Sequence, residues 1–182
     1  MTNRFGNVPV ESSTLEFEAE SEADTFRLGA ELADVLPPGT TVALIGTLGA
    51  GKTRLVQALA QACGLPPDSV TSPTFVLCQH YQGSRTLHHL DAYRLRDDDE
   101  FWQLGVDEYF DSDALTLVEW ADRVSDCLPD ERLEIEILVG AGDTRTFRIL
   151  GSGSPIADAV QRLSARLQAS SAEPPRDEAL GG

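Results

Sequence analysis

Residues 46–53 read Gly46-Thr47-Leu48-Gly49-Ala50-Gly51-Lys52-Thr53, a match to G-x-x-x-x-G-K-[ST]. Ordinary composition alone produces such a match in roughly one chain in a hundred of this size, so the flanks decide its meaning. Before it runs Thr41-Val42-Ala43-Leu44-Ile45, an unbroken apolar segment of the kind buried on both faces of a parallel sheet. After it, Leu55, Val56 and Leu59 share one face of a helix expected from about Lys52 to Cys63, with Gly64 placed to end it. Strand, glycine-rich turn and helix in that order predict a phosphate cradle rather than a plain turn. Glycines let backbone N–H groups approach phosphate oxygens, and the helix N-terminus adds positive potential. Lys52 would reach the β- and γ-phosphates, and the Thr53 hydroxyl would take one place around Mg²⁺.

Working outward, Ser21 starts a helix with Glu22 and Asp24 in its first turn and Leu28, Leu32, Val35 and Leu36 at helical spacing. Leu15 to Phe17 is expected as a short strand before it. Beyond the cradle, Phe75–Tyr81 and Arg85–Asp91 read as a hairpin turning at Gln82-Gly83-Ser84. A short helix is expected from Asp97 to Leu104, an apolar strand from Ala114 to Val118, and a half-exposed strand over Leu133–Val139 with a partner at Thr146–Leu150. Ser154-Pro155 suits the N-cap and first position of a last helix. These elements predict an α/β fold, a P-loop NTPase-like three-layer sandwich with a mixed, mostly parallel central sheet. Residues 1–13 read as a flexible leader, 14–169 as one domain and 170–182 as a disordered acidic tail.

With 182 residues, 41% hydrophobic and 24% charged, the chain has the composition of one globular domain. No apolar run is long enough for a membrane helix, and three scattered cysteines suit free thiols in a reducing cytoplasm. Thirty acids against fourteen bases give a formal charge of −16, a poor match for independent nucleic-acid binding. Thirteen of the bases are arginine, and the only lysine is Lys52. A site that needs a thin stem with a point charge would resist the exchange for arginine.

A phosphate cradle with Mg²⁺ also needs carboxylates at neighbouring strand ends. Glu119 follows the strand Ala114–Val118, and Asp91 closes the run Thr86–Asp91. In an extended segment His89, Asp91 and Tyr93 share one face, while His88 and Leu90 share the other. A lone strand-end acid is often only a solvated side chain; the cradle in the same sheet favours the functional reading. A zinc site from His80, His88 and His89 lacks ligand spacing. Val70-Thr71-Ser72-Pro73-Thr74-Phe75 carries three hydroxyls on a proline-stiffened stretch and suits either a connecting loop or a switch that senses the γ-phosphate.

Taken together, GTLGAGKT, VTSPTF, HLDAYRL, a Gly-Val-Asp-Glu-Tyr-Phe segment and LVEWADR resemble the bacterial TsaE (YjeE-type) ATPases over about residues 21–150. The resemblance implies ATP or ADP with Mg²⁺, and a role in making threonylcarbamoyladenosine beside the tRNA anticodon with the TsaD–TsaB pair. It implies that Leu48, Gly49, Ala50, Gly51, Lys52 and Thr53 hold the nucleotide. Thr53 and Glu119 would stand on the Mg²⁺ side, and Asp91, Glu119 and Lys52 would serve hydrolysis. Ser72, Pro73, Thr74, His89, Tyr93, Arg94 and Trp120 would form switch-like surroundings. Thr47 and Arg54 depart from the family pattern, which usually has an acid and often a second threonine there. The resemblance also implies a slow ATPase alone, in the cytoplasm, that meets tRNA only through its partners. The rival readings are a small P-loop kinase, for which only Arg94 and Arg96 offer a clamp, and a nucleotide-controlled binding module, for which the guanine motif is missing.

Overall fold

The structure, a computed structural model, describes residues 11–67, 69–71 and 77–171. The elements run β1 (Ser12–Ala19), α1 (Glu22–Val35), β2 (Thr41–Ile45), α2 (Lys52–Ala62), β3 (Cys78–Gln82), β4 (Thr86–Asp91), α3 (Asp98–Trp102), α4 (Val106–Phe110), β5 (Leu115–Glu119), β6 (Leu133–Val139), β7 (Arg145–Ser152) and α5 (Ser154–Ser171). All described strands form one sheet in the order β1-β7-β6-β2-β5-β4-β3. β6, β2, β5 and β4 pair in parallel at its centre, and β7, β1 and β3 join by antiparallel pairing. β1 runs with the four central strands, so the sheet is mixed and mostly of one direction, as the sequence predicts.

Side-chain alternation sends successive residues of each strand to opposite layers. Leu44, Leu117, Ile135 and Phe147 meet Leu28, Leu32, Leu59 and Leu163 from α1, α2 and α5. Ala43, Leu90 and Val118 face the other way, against Phe101 and Val106 of α3 and α4 and Val124 beyond β5. Full burial of one such leucine is worth about 1.5–3 kcal/mol. The second helical layer stops short of β6, β7 and β1. There the sheet shows a polar face, with Arg148 placed 3.2 Å from Glu16 and 3.5 Å from Glu136.

Two helix ends show how local chemistry sets the frame. Ser21 caps α1 in a capping box with Asp24: Asp24 N donates to Ser21 Oγ at 3.3 Å, and Ser21 N donates to Asp24 Oδ2 at 3.1 Å. At the other end of α1 the Arg85 guanidinium donates to Ala33 O, Leu36 O and Pro37 O at 2.8–2.9 Å. Sequence distance hides this second cap entirely.

Several boundaries differ from expectation. β1 begins at Ser12 and extends to Ala19, because all eight residues pair with β7; the domain therefore reaches into the expected leader. Asp97 caps a shorter helix than expected, and Gly105 at φ +72° starts the separate helix α4. Two 3₁₀ turns at Ala121–Arg123 and Ser125–Cys127 were not foreseen. α5 starts one position early, at Ser154, because Gly153 O already accepts from Ile156 N and Ala157 N. It also runs to Ser171, past the expected start of the tail. Residues 1–10 of the leader, 172–182 of the tail, and Ser72, Pro73, Thr74 and Phe75 lie outside the described residues.

Candidate functional site

The loop from Gly46 to Gly51 leaves the C-terminal end of β2, at the centre of the sheet. Gly46 has no room for a side chain, since a Cβ there would lie 2.8 Å from Ile137 O. Gly51, the N-cap of α2, sits at φ +112°, a conformation that excludes ordinary L side chains. The loop thus turns straight into the N-terminus of an 11-residue helix. That end presents unpaired N–H groups and positive potential, a chemistry suited to an anion.

Lys52 is 4% exposed, yet among the described residues no carboxylate pairs with it. Its Nζ donates to Gly46 O at 2.7 Å and to Thr47 O at 3.0 Å, and lies 3.6 Å from the Trp120 ring centroid. Burial disfavours its ammonium and lowers its pKa, while Glu119, Asp91 and Asp122 pull the other way. Trp120 is the one non-glycine residue with positive φ, +58°, among the described residues. Such backbone costs on the order of 1–3 kcal/mol and is held by its surroundings. Here it accompanies an indole placed against Lys52, with Tyr93 packed on the indole at 4.8 Å between centroids.

The acids come from adjacent strand ends. Asp91 and Glu119 are paired positions in the parallel ladder of β4 and β5. Thr53 Oγ1 donates to Glu119 Oε1 at 2.8 Å, which joins α2 to β5. Tyr93 N donates to Asp91 Oδ1 at 2.8 Å. Burial raises the Asp91 carboxyl above its ordinary pKa; the Tyr93 N–H opposes this, Glu119 adds to it, and His89 and Lys52 oppose it. A cleft of ≈ 300 Å³ opens between Leu48–Arg54 and the side formed by Asp91, Tyr93, Arg94, Glu119 and Trp120. A second cavity of ≈ 460 Å³ adjoins Gly49–Gly51, between the start of α1 and Asp143, Arg145 and Phe147.

The fold therefore brings together the expected residues from Leu48 to Thr53 with Asp91, Tyr93, Arg94, Glu119 and Trp120. Ala50 is buried behind the loop rather than in the cleft. His89, expected among the switch-like residues, is 0% exposed and has Nε2 2.9 Å from Glu119 Oε1. His80 and His88 stand apart from it, on the opposite face of β3 and β4, with their Nδ1 atoms 2.7 Å apart. The three histidines thus make no common site. Among the described residues no group of three or more His, Cys, Asp and Glu is placed to hold a metal by itself. One residue of the site carried no signal in the sequence. Arg145, 95 positions away, donates from Nε to Ala50 O at 3.0 Å and braces the loop from β7.

Comparison with known proteins bears on this arrangement. The profile of the family described as threonylcarbamoyl adenosine biosynthesis protein TsaE matches residues 19–148. A tRNA threonylcarbamoyladenosine biosynthesis protein TsaE from Treponema pallidum is 36% identical over 131 residues, spanning 72% of this chain and 96% of that protein. The protein of the same name from Bacillus subtilis is 37% identical over 141 residues, 76% of this chain and 87% of its own length. The crystal structure of Bacillus subtilis YdiB superposes with a TM-score of 0.72 at 30% identity, covering 86% of this chain and 97% of that one.

Proposed function

This chain belongs to the TsaE family, and from that premise we propose that it binds and hydrolyses ATP for threonylcarbamoyladenosine modification of tRNA. The observation that carries this reading is the meeting of Lys52, Thr53, Asp91 and Glu119 beside a glycine-rich loop at the parallel strand ends. The α2 N-terminus and the loop N–H groups would hold the β- and γ-phosphates. Lys52 would exchange Gly46 O and Thr47 O for phosphate oxygens. The cavity of ≈ 460 Å³ beside Gly49–Gly51 offers room for the nucleoside end.

The residues also fit Mg²⁺. The donor set is all oxygen: the Thr53 hydroxyl and the Glu119 carboxylate, already 2.8 Å apart, with Asp91 on the next strand. An ion of this kind usually takes one or two protein ligands and completes its shell with water and phosphate, so a full protein cage is not needed. When bound, Mg²⁺ would neutralise phosphate charge and order the phosphate oxygens. Asp91 and Glu119 would orient the attacking water at the same strand ends.

A formal charge of −16 opposes direct contact with tRNA phosphates. The reading therefore has this cytoplasmic subunit act by docking on the TsaD–TsaB pair, with slow hydrolysis on its own. Reconstitution tests it. TsaD, TsaB, the threonylcarbamoyl donor, tRNA and ATP are incubated with the parental chain, with Lys52→Ala, or with neither. Repeated turnover to modified adenosine only with the parental chain is the expected result. Equal turnover in all three mixtures would remove the proposed role.

A further inference from the structure

Glu119 Oε1 is approached from two sides, by Thr53 Oγ1 at 2.8 Å and by His89 Nε2 at 2.9 Å. His89 is 0% exposed and, among the described residues, its Nδ1 has no hydrogen-bond partner. A proton on Nδ1 would place an unpaired donor in the core and leave the Nε2 lone pair facing an acceptor oxygen. Both faults vanish when the ring proton is on Nε2 and points at Glu119.

The two donors differ in freedom. A threonine hydroxyl rotates about one bond, whereas the imidazole is enclosed on β4, paired with Leu117 of β5 in the ladder. Neither contact falls on Oε2. Glu119 lines the cleft with Lys52, Thr53 and Asp91, and with Oε1 engaged by both donors Oε2 is the oxygen left for metal or water there.

We propose that His89 is a positioning residue: its Nε2–H fixes the Glu119 carboxylate so that one oxygen stays directed at the metal and water side of the nucleotide site. This rests on the ATP and Mg²⁺ reading above. It also accounts for a polar ring in a place where an apolar one would pack without an unpaired nitrogen.

The test uses two amides of similar polarity. His89→Gln carries an N–H donor at about the position of Nε2, whereas His89→Asn is too short to reach Glu119. ATP affinity is measured in EDTA and in Mg²⁺, together with kcat, KM and the Mg²⁺ concentration for half-maximal hydrolysis. In EDTA all three proteins should bind ATP alike, because the backbone cradle and Lys52 are untouched. His89→Asn should lose about 10–100-fold in Mg²⁺ response and kcat, as partners that orient metal ligands commonly do. His89→Gln should recover most of that loss, with KM little changed. A folded His89→Asn protein with the parental Mg²⁺ response and kcat would overturn the proposal.

Long-range ¹H–¹⁵N spectra of the parental protein give a test that needs neither variant to fold. The expected ring has its proton on Nε2 and a bare Nδ1, and its Nε2 signal shifts in Glu119→Gln. A ring protonated on Nδ1 with a bare Nε2 overturns the anchoring. A parental protein that binds no ATP overturns the nucleotide reading instead, and the spectra still decide the anchoring.

Discussion

Lys52 Nζ lies 3.6 Å from the centroid of the Trp120 ring while it donates to Gly46 O and Thr47 O. The lysine is thus folded back onto its own loop, under an indole held by a left-handed backbone. An ammonium so placed is satisfied by weak acceptors and a π face, not by a carboxylate. It can be drawn away by a stronger anion without breaking an ion pair.

Lys52→Ala should leave the fold intact and cut ATP affinity. A charge-assisted phosphate contact contributes about 1.5–3 kcal/mol, so the expected loss is roughly 10–150-fold. Calorimetric titration with ATP reads the affinity, and thermal unfolding shows that the fold survives. A folded variant with parental affinity would exclude Lys52 from phosphate binding.

Glu119→Gln should damage hydrolysis far more than binding. The amide keeps an oxygen for Thr53 and His89 but loses the negative charge offered to metal and water. We expect kcat to fall at least about tenfold, the scale of losing a positioned water-side group, with ATP affinity within a few-fold of parental. Single-turnover hydrolysis with radiolabelled ATP separates the two effects.

Asp91→Asn should stabilise the free protein at neutral pH while slowing hydrolysis. Burial raises the Asp91 carboxyl above its ordinary 3.8. A raised acid favours the folded state fully below the unfolded value, and that contribution is lost as pH rises through the folded value. The asparagine variant does not ionise, so its advantage in melting temperature should be absent near pH 3.5 and grow as pH rises above about 4. Equal melting curves at pH 4 and pH 7.5 would show that the carboxylate is not penalised in the fold.

The His80–His88 pair predicts an acid-sensitive edge. Burial lowers the His88 pKa below its ordinary 6.5, and His80 adds to this. The rings meet edge to face with their Nδ1 atoms 2.7 Å apart, Cys78 Sγ is 3.8 Å from His80 Nε2, Ser112 Oγ is 3.5 Å from His88 Nε2, and Tyr109 packs on both rings. A depressed base stabilises the fold above its unfolded value, and that contribution is lost as pH falls through the folded value. Stability should therefore fall below about pH 6.5, and His88→Gln should flatten that part of the profile. Urea unfolding at half-unit pH steps measures the slope.

What the sequence determined by itself is what depends on near neighbours. Glycine at 46, 49 and 51, an apolar pentapeptide before them and an amphipathic helix after them specify strand, turn and helix without outside help. The alternation that puts His89 and Asp91 on one face of β4 is equally local, as is the capping box at Ser21. Tertiary structure decided the contacts that join distant segments. The strand order sets β5 between β2 and β4, which brings Glu119 to Thr53 across 66 positions and to His89 across 30. β7 lies beyond β6, and from there Arg145 reaches back 95 positions to the loop. The left-handed turn at Trp120 is likewise invisible in its residue type, since tryptophan has no preference for it. Hydrophobic period and turn chemistry report a residue's surroundings over one or two turns of chain. A hydrogen bond between strands reports which strands became neighbours, and that is settled by burying the whole core at once.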